Sequence, residues 1–296
     1  MTKRASAGGM LASLFWSSRP VSWINTAYPF GAAYLFITHR LDAVFWVGSL
    51  FFLVPYNLLM YGINDVYDYE SDLRNPRKGS IEGSVLAPAL HTPTLIVAYL
   101  LPVPFVLFLA SRANLFANVI LGLVLFSVVA YSVRGMRFKE IPLLDSITSA
   151  VHFAGPMAVG IALSGSDLRT GTSLKLLTAF LLWGMATHAF GAVQDVKADK
   201  DANLTSIATA FGTRDTIWFS VCGYLLAGSV LLTGAWPIPL ASILVIPYAL
   251  IVWRYRGLGE ANSSEANAGW RKILWLNLIS GFAVTVLLVF ALLGGN

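Results

Sequence analysis

Long stretches without a single charged side chain alternate with short, densely charged ones, and this alternation organises the whole chain. Residues 43–64, 83–111, 113–133, 146–166, 176–194, 216–253 and 273–296 contain no Asp, Glu, Lys or Arg. About 20 mostly apolar residues cross the hydrocarbon of a bilayer as a helix, so most of these runs predict one span each. The run 83–111 opens with a polar, Pro-containing loop and spans only in its second half. The run 216–253 is long enough for two spans, with Gly234, Pro237 and Pro239 marking the turn between them. Residues 20–39 add one more at the start. The pattern thus predicts nine helices, at 20–38, 43–63, 93–110, 114–132, 144–163, 174–192, 216–234, 238–253 and 273–293.

Composition agrees. Of 296 residues, 56% are hydrophobic and 12% charged, with a mean hydropathy of +0.69. This is the balance of an all-α integral membrane protein, not of a soluble globular one. A single domain over 1–296 is expected, with no removable signal peptide, soluble domain, internal repeat or low-complexity tract. The one cysteine, Cys222, lies inside a predicted span, where packing is its expected role, and has no partner for an intrachain disulfide.

Charge then sets an orientation. Sixteen of the 20 Lys and Arg residues fall on one side of the nine-helix topology; Arg40, Arg112, Arg169 and Lys175 fall on the other. The positive-inside rule places the richer side, and with it the N-terminus, in the cytoplasm. The net charge of +5 calls for no nucleic acid, because these bases lie where anionic headgroups and a phosphorylated substrate are found.

Two acidic clusters lie on that side. The first runs Asn64-Asp65-Val66-Tyr67-Asp68-Tyr69-Glu70-Ser71-Asp72. Asn64, Asp68 and Asp72 are four apart and share one face if the helix continues, and Asp65 widens it. Asn57 and Tyr61 extend the same stripe deeper, as polar lining for a cavity. Arg77 and Lys78 follow, next to Pro76 and Gly79, which end the helix. The second cluster carries Asp195 and Asp199, again four apart, with Gln194 beside them and His188 two turns deeper. His188 alone reads first as a hydrogen-bonded packing residue, and after that as a residue lining the acceptor pocket or a proton acceptor.

Paired carboxylates at a membrane rim are costly unless a cation joins them. Magnesium carrying a diphosphate suits them, since Mg²⁺ takes oxygen ligands from one or two carboxylates and the substrate phosphates. Guanidinium groups bind phosphate oxygens in a bidentate fork, which makes Arg77, Lys78, Arg137 and Lys139 candidates for the diphosphate. For Arg137, Lys139 and Arg19 the positive-inside rule alone is an equally good explanation.

Together these residues resemble the UbiA-type superfamily of intramembrane prenyltransferases, whose pattern is Asn-Asp-x-x-Asp-x-x-x-Asp after helix two and Asp-x-x-x-Asp after helix six. The resemblance implies nine helices around a central cavity open to lipid. It makes Asn64, Asp65, Asp68, Asp72, Asp195 and Asp199 the metal ligands, with Asp65, Asp68, Asp195 and Asp199 essential to catalysis. The segments SSRPVSWINTAYPF, FFLVPYNLLMYGINDVYDYESDLRNPRKGSIEG, RFKEIPLLDSITS and WGMATHAFGAVQDVKADKDANLTSIATAFG are similar to lycopene elongases of fifty-carbon carotenoid biosynthesis. Lys78 and Asn203 depart from the wider superfamily, which often has Pro and Gly there.

The resemblance implies a multi-pass plasma-membrane enzyme whose active site opens to the cytoplasmic side. It would use Mg²⁺ to ionise dimethylallyl diphosphate and transfer the five-carbon unit to an end of lycopene, with Tyr61, Tyr67 and Tyr131 shielding the allylic cation. Oligomeric state is not legible. A polyprenyl transfer to an aromatic quinone precursor shares every ligand. An ion-coupled transporter is disfavoured, because the acids lie at one face and no internal repeat is evident.

Overall fold

The computed structural model describes residues 7–73 and 85–294. Among them there are helices and turns and no strand. The helices are α1 (Ala7–Ser17), α2 (Trp23–Thr38), α3 (Ala43–Leu53), α4 (Pro55–Tyr67), α5 (Tyr69–Asp72), α6 (His91–Leu100), α7 (Val103–Arg112), α8 (Leu115–Ser132), α9 (Leu144–Leu163), α10 (Gly171–Val193), α11 (Val196–Asp201), α12 (Ile207–Phe211), α13 (Thr213–Leu232), α14 (Val245–Trp253) and α15 (Ala266–Gly294). Seven helical stretches among the described residues are long and apolar enough to cross a bilayer: 43–67, 88–112, 115–132, 144–163, 171–193, 213–232 and 260–294. The apolar stretch Ile238–Trp253 is shorter, and α2 has 16 residues.

Two expected spans contain breaks that the apolar pattern hides. In 43–67 the helix is interrupted at Val54, because Pro55 has no N–H to donate back along the ladder. The Asn57 amide repairs the gap. Its Nδ2 donates to the carbonyls of Phe52 (2.9 Å) and Leu53 (3.1 Å) and to Thr26 Oγ1 (2.6 Å), and Thr26 itself donates to Phe52 O (2.7 Å). In hydrocarbon an orphaned backbone group costs several kcal/mol, so this polar knot is what lets the bend persist. The second break separates α6 from α7 at Leu101–Pro102.

The chain divides into two compact units, residues 1–138 with 155–166 and residues 139–154 with 167–296. In the first, α2 packs on α3, and α4 on α6 and α8. Phe30, Phe51, Phe52 and Tyr56 are fully buried and meet ring on ring, with centroids 4.8–5.1 Å apart for three of the pairs. A Cβ on Gly48 would collide with the Phe30 ring, so only glycine lets α3 approach α2 this closely.

In the second unit α13 packs between α10 and α14, and α15 against α14. Its core includes Phe190, Ile217, Tyr224, Tyr248, Val252 and Ile273. Buried hydroxyls are matched across helices: Thr187 with Tyr224 (2.9 Å), and Tyr248 with Asn277 (2.9 Å). Outward faces are apolar as lipid requires, for example Trp46, Leu107 and Phe126 in one unit and Trp275, Phe282 and Leu293 in the other. Cys222 is exposed on α13 and is not a core packing residue.

Candidate active site

The first acidic cluster grows from the end of α4. The helix stops at Tyr67, yet its hydrogen-bond rhythm continues: Asp68 N–H donates to Asn64 O (2.9 Å) and Asp72 N–H to Asp68 O (2.8 Å). The four-residue repeat therefore survives the break into α5. Asp65 is 1% exposed, and its Oδ1 accepts from Arg19 at 2.6 Å. Its Oδ2 is buried and has no hydrogen-bond partner among the described residues.

Arg19 comes from the turn before α2. It sits in the left-handed region (φ 53°), and Pro20 then starts the helical path. Its guanidinium also lies over the Tyr61 ring, 4.9 Å from the centroid, so that aromatic face already carries a cation. On the other side of the cluster, Gly135 (φ 94°) and Arg137 (φ 41°) turn the loop after α8 back. Arg137 reaches Asp68 at 3.8 Å. Asn64 Oδ1 accepts from Ser132 at the end of α8 (2.9 Å). Asp72 is 6% exposed, and Tyr131 is half-buried. Arg77 and Lys78 lie outside the described residues.

The second cluster is built differently. The helix α10 ends at Val193, Gln194 caps it, and Asp195 starts the short helix α11. Asp199 N–H donates to Asp195 O (2.8 Å), which keeps the pair one turn apart. Asn203, at φ 55°, closes α11 and returns the chain toward Ser206. Gln194 accepts from Asn267 at 2.7 Å.

Beneath this turn lies Asp145, fully buried in the first turn of α9. Its Oδ1 accepts from Ser146 N (2.6 Å) and Ser146 Oγ (3.1 Å), and its Oδ2 from Ile207 N (2.7 Å). Ser146 Oγ is also 3.1 Å from His188 Nδ1. A serine hydroxyl has one proton, so it donates to Asp145 or to Nδ1 of His188 and accepts where it does not donate. Lys139 lies in the 3₁₀ turn Phe138–Glu140, half-buried.

Sequence spacing groups Asn64, Asp65, Asp68 and Asp72, and separately Asp195 and Asp199. It leaves Arg19 ambiguous and misses Ser132, Asp145, Ser206 and Asn267. Arg19 and Asp65 are 46 positions apart, so no local period links them; the one available sign is a base adjoining Pro20 at the same rim.

Among the described residues no three His, Cys, Asp or Glu side chains form a preformed metal cage. Oxygen-only donors together with the buried, unsatisfied Asp65 Oδ2 fit a hard cation that takes few protein ligands and completes its shell with water and phosphate.

The sequence profile of the UbiA prenyltransferase family matches residues 26–279. The chain belongs to that family. It is an integral membrane protein and a UbiA-type prenyltransferase. It is 49% identical over 292 residues to the "C(50) beta-cyclic carotenoids biosynthesis protein LbtBC" of Dietzia sp. (strain CQ4), covering 98% of this chain and 67% of that one. It is 44% identical over 273 residues to a lycopene elongase/hydratase of Corynebacterium glutamicum, covering 92% and 95% of the two chains. A UbiA homolog from Archaeoglobus fulgidus, solved bound to DMAPP and Mg²⁺, shares the fold with a TM-score of 0.64 at 20% identity, over 92% of this chain and 98% of that one.

Proposed function

We propose that this UbiA-type enzyme transfers a five-carbon unit from dimethylallyl diphosphate to an end of lycopene in the formation of fifty-carbon carotenoids. One observation carries the reading. A buried carboxylate, Asp65, keeps one oxygen on Arg19 and the other without a partner among the described residues, in a chain 44% identical to a lycopene elongase/hydratase.

Each acidic cluster would hold magnesium by itself, Asn64, Asp65, Asp68 and Asp72 in one and Asp195 and Asp199 in the other. Bound there, it supplies positive charge to the departing diphosphate. Arg137, Lys139, Arg77 and Lys78 bind diphosphate oxygens and stabilise the charge that develops as the allylic C–O bond breaks. Tyr67 and Tyr131 exclude water and face the cation, at about 0.5–2 kcal/mol each; Tyr61, with Arg19 on its ring, lines the pocket. The terminal double bond of lycopene attacks the allylic carbon, forms the new C–C bond and leaves a tertiary cation. The C. glutamicum relative's name couples elongation to hydration, which supports water as the group that closes the reaction: its oxygen bonds to the cation and a proton leaves.

We further read α2 and the Ile238–Trp253 stretch as spans, which gives nine, with the N-terminus and both acidic clusters cytoplasmic and the protein in the plasma membrane. The Lys and Arg asymmetry supports this orientation.

The test is expression in cells that accumulate lycopene, with chromatography and mass spectrometry of the pigments. New species one and two five-carbon units heavier, with added water, are expected and should be absent with Asp68→Ala. Unchanged lycopene with protein in the membrane would refute the acceptor and direct attention to aromatic quinone precursors.

A further inference from the structure

We infer that Asp145, a residue outside both acidic motifs, is a positioning residue for Asp199: it fixes the turn that aims Ser206 at that carboxylate. The inference rests on reading Asp199 as a metal-facing group.

The helix α12 has five residues, and the N–H groups of its first turn have no partners within so short a helix. Two devices satisfy them. Ser206 and Thr209 form a reciprocal capping box, with Ser206 N–H donating to Thr209 Oγ1 (2.8 Å) and Thr209 N–H to Ser206 Oγ (3.3 Å). Asp145 supplies the rest by accepting from Ile207 N–H at 2.7 Å, a carboxyl at the positive end of the helix. Pinned on both sides, Ser206 keeps its hydroxyl proton for Asp199 Oδ2, at 3.5 Å.

The same carboxyl reaches a second target. Through Ser146 it connects to the Nδ1 of His188. All its acceptor contacts are with neutral donors, and among the described residues neither Lys nor Arg pairs with it. A carboxyl that is 0% exposed with only neutral donors is expensive as plain structure. Its geometry is instead that of the outer partners that orient metal-binding carboxylates, whose loss typically weakens metal affinity about 10–100-fold.

Two contacts leave Asp145: one through Ile207 N–H to the turn that carries Ser206, the other through Ser146 to His188. Binding of Mn²⁺, as a spectroscopic stand-in for Mg²⁺, is measured by electron paramagnetic resonance on the full-length protein in detergent with dimethylallyl diphosphate and no acceptor. Thermal unfolding of each variant is recorded alongside. Asp199→Asn establishes whether that carboxylate matters for the metal. Asp145→Asn keeps the shape of the side chain but places an NH₂ against an N–H donor; it and Ser206→Ala should each weaken Mn²⁺ binding about tenfold.

Weak binding in Asp199→Asn, Asp145→Asn and Ser206→Ala together, in variants that unfold near the wild-type temperature, supports the inference. Loss in Asp199→Asn but wild-type binding in Asp145→Asn overturns it while the metal reading stands. Wild-type binding in Asp199→Asn overturns both. Should Asp145→Asn not accumulate as folded protein, Ser206→Ala decides by the same criterion. A merely structural role would lower the unfolding temperature and leave Mn²⁺ affinity untouched.

Discussion

The two acidic clusters obey the same four-residue spacing but show different neighbours. The first is held by cations: Arg19 on Asp65 and Arg137 near Asp68. The second is shaped from beneath by neutral donors, a capping serine and a buried carboxyl that itself takes only N–H and O–H groups. A shared spacing therefore does not imply shared neighbours. A cluster with resident guanidinium groups is partly neutralised before any metal arrives. In the other, a capping hydroxyl and a buried carboxyl fix the turn that carries the acids.

The most severe losses should come from what the two clusters have in common. Asp65→Ala and Asp195→Ala should each lower kcat/KM for prenyl transfer about a thousandfold, as measured by product formation in membranes. A variant of either kind that retains a tenth of the activity would show that only one cluster is catalytic. Next in size is Arg19→Ala. It leaves the Asp65 carboxylate buried beside no guanidinium and should destabilise the protein by about 3 kcal/mol, seen as a lower unfolding temperature in detergent. Arg19→Lys should recover part of the loss. A neutral result would mean that the first cluster does not depend on its cations.

Ser206→Ala probes the second cluster, where a helix cap and the hydroxyl contact to Asp199 are lost together. About 1 kcal/mol of stability should go, well below the Arg19 effect. A still smaller change concerns Asp42, the N-cap of α3 in the same unit as the first cluster. Burial pushes its pKa up, but the N–H of Phe45, the Tyr34 hydroxyl, the N–H of Val44 and the charge of Arg40 together outweigh burial and hold it below the ordinary carboxylate value. Its contribution to stability is therefore fully present above the unfolded value near pH 4 (about 3.9) and is lost as pH falls through the lower folded value. Unfolding temperature should drop less steeply in acid for Asp42→Ala than for the wild type.

Much of this architecture is written locally. Runs without charge mark the positions of the spans, because hydrocarbon tolerates no exposed charge, and the acids at period four mark both clusters. The hidden features are long-range or sub-helical. Pro55 interrupts a helix inside an unbroken apolar run, and Asn57, a pocket residue by its stripe, has its amide bonded to the broken backbone. Arg19 meets Asp65 across 46 residues, and Asp145 meets Ile207 across 62; no periodicity can announce such pairs. The Arg77 and Lys78 assignments lie outside the described residues and stand as proposals.

The exposed thiol of Cys222 on α13 gives the molecule a single natural attachment point, since the chain has no other cysteine. A nitroxide placed there would face acyl chains, and its collision rates with oxygen and with a water-soluble nickel chelate would report the depth of that helix in a liposome. The unaltered protein can thus serve as its own ruler for how far the bilayer extends along it.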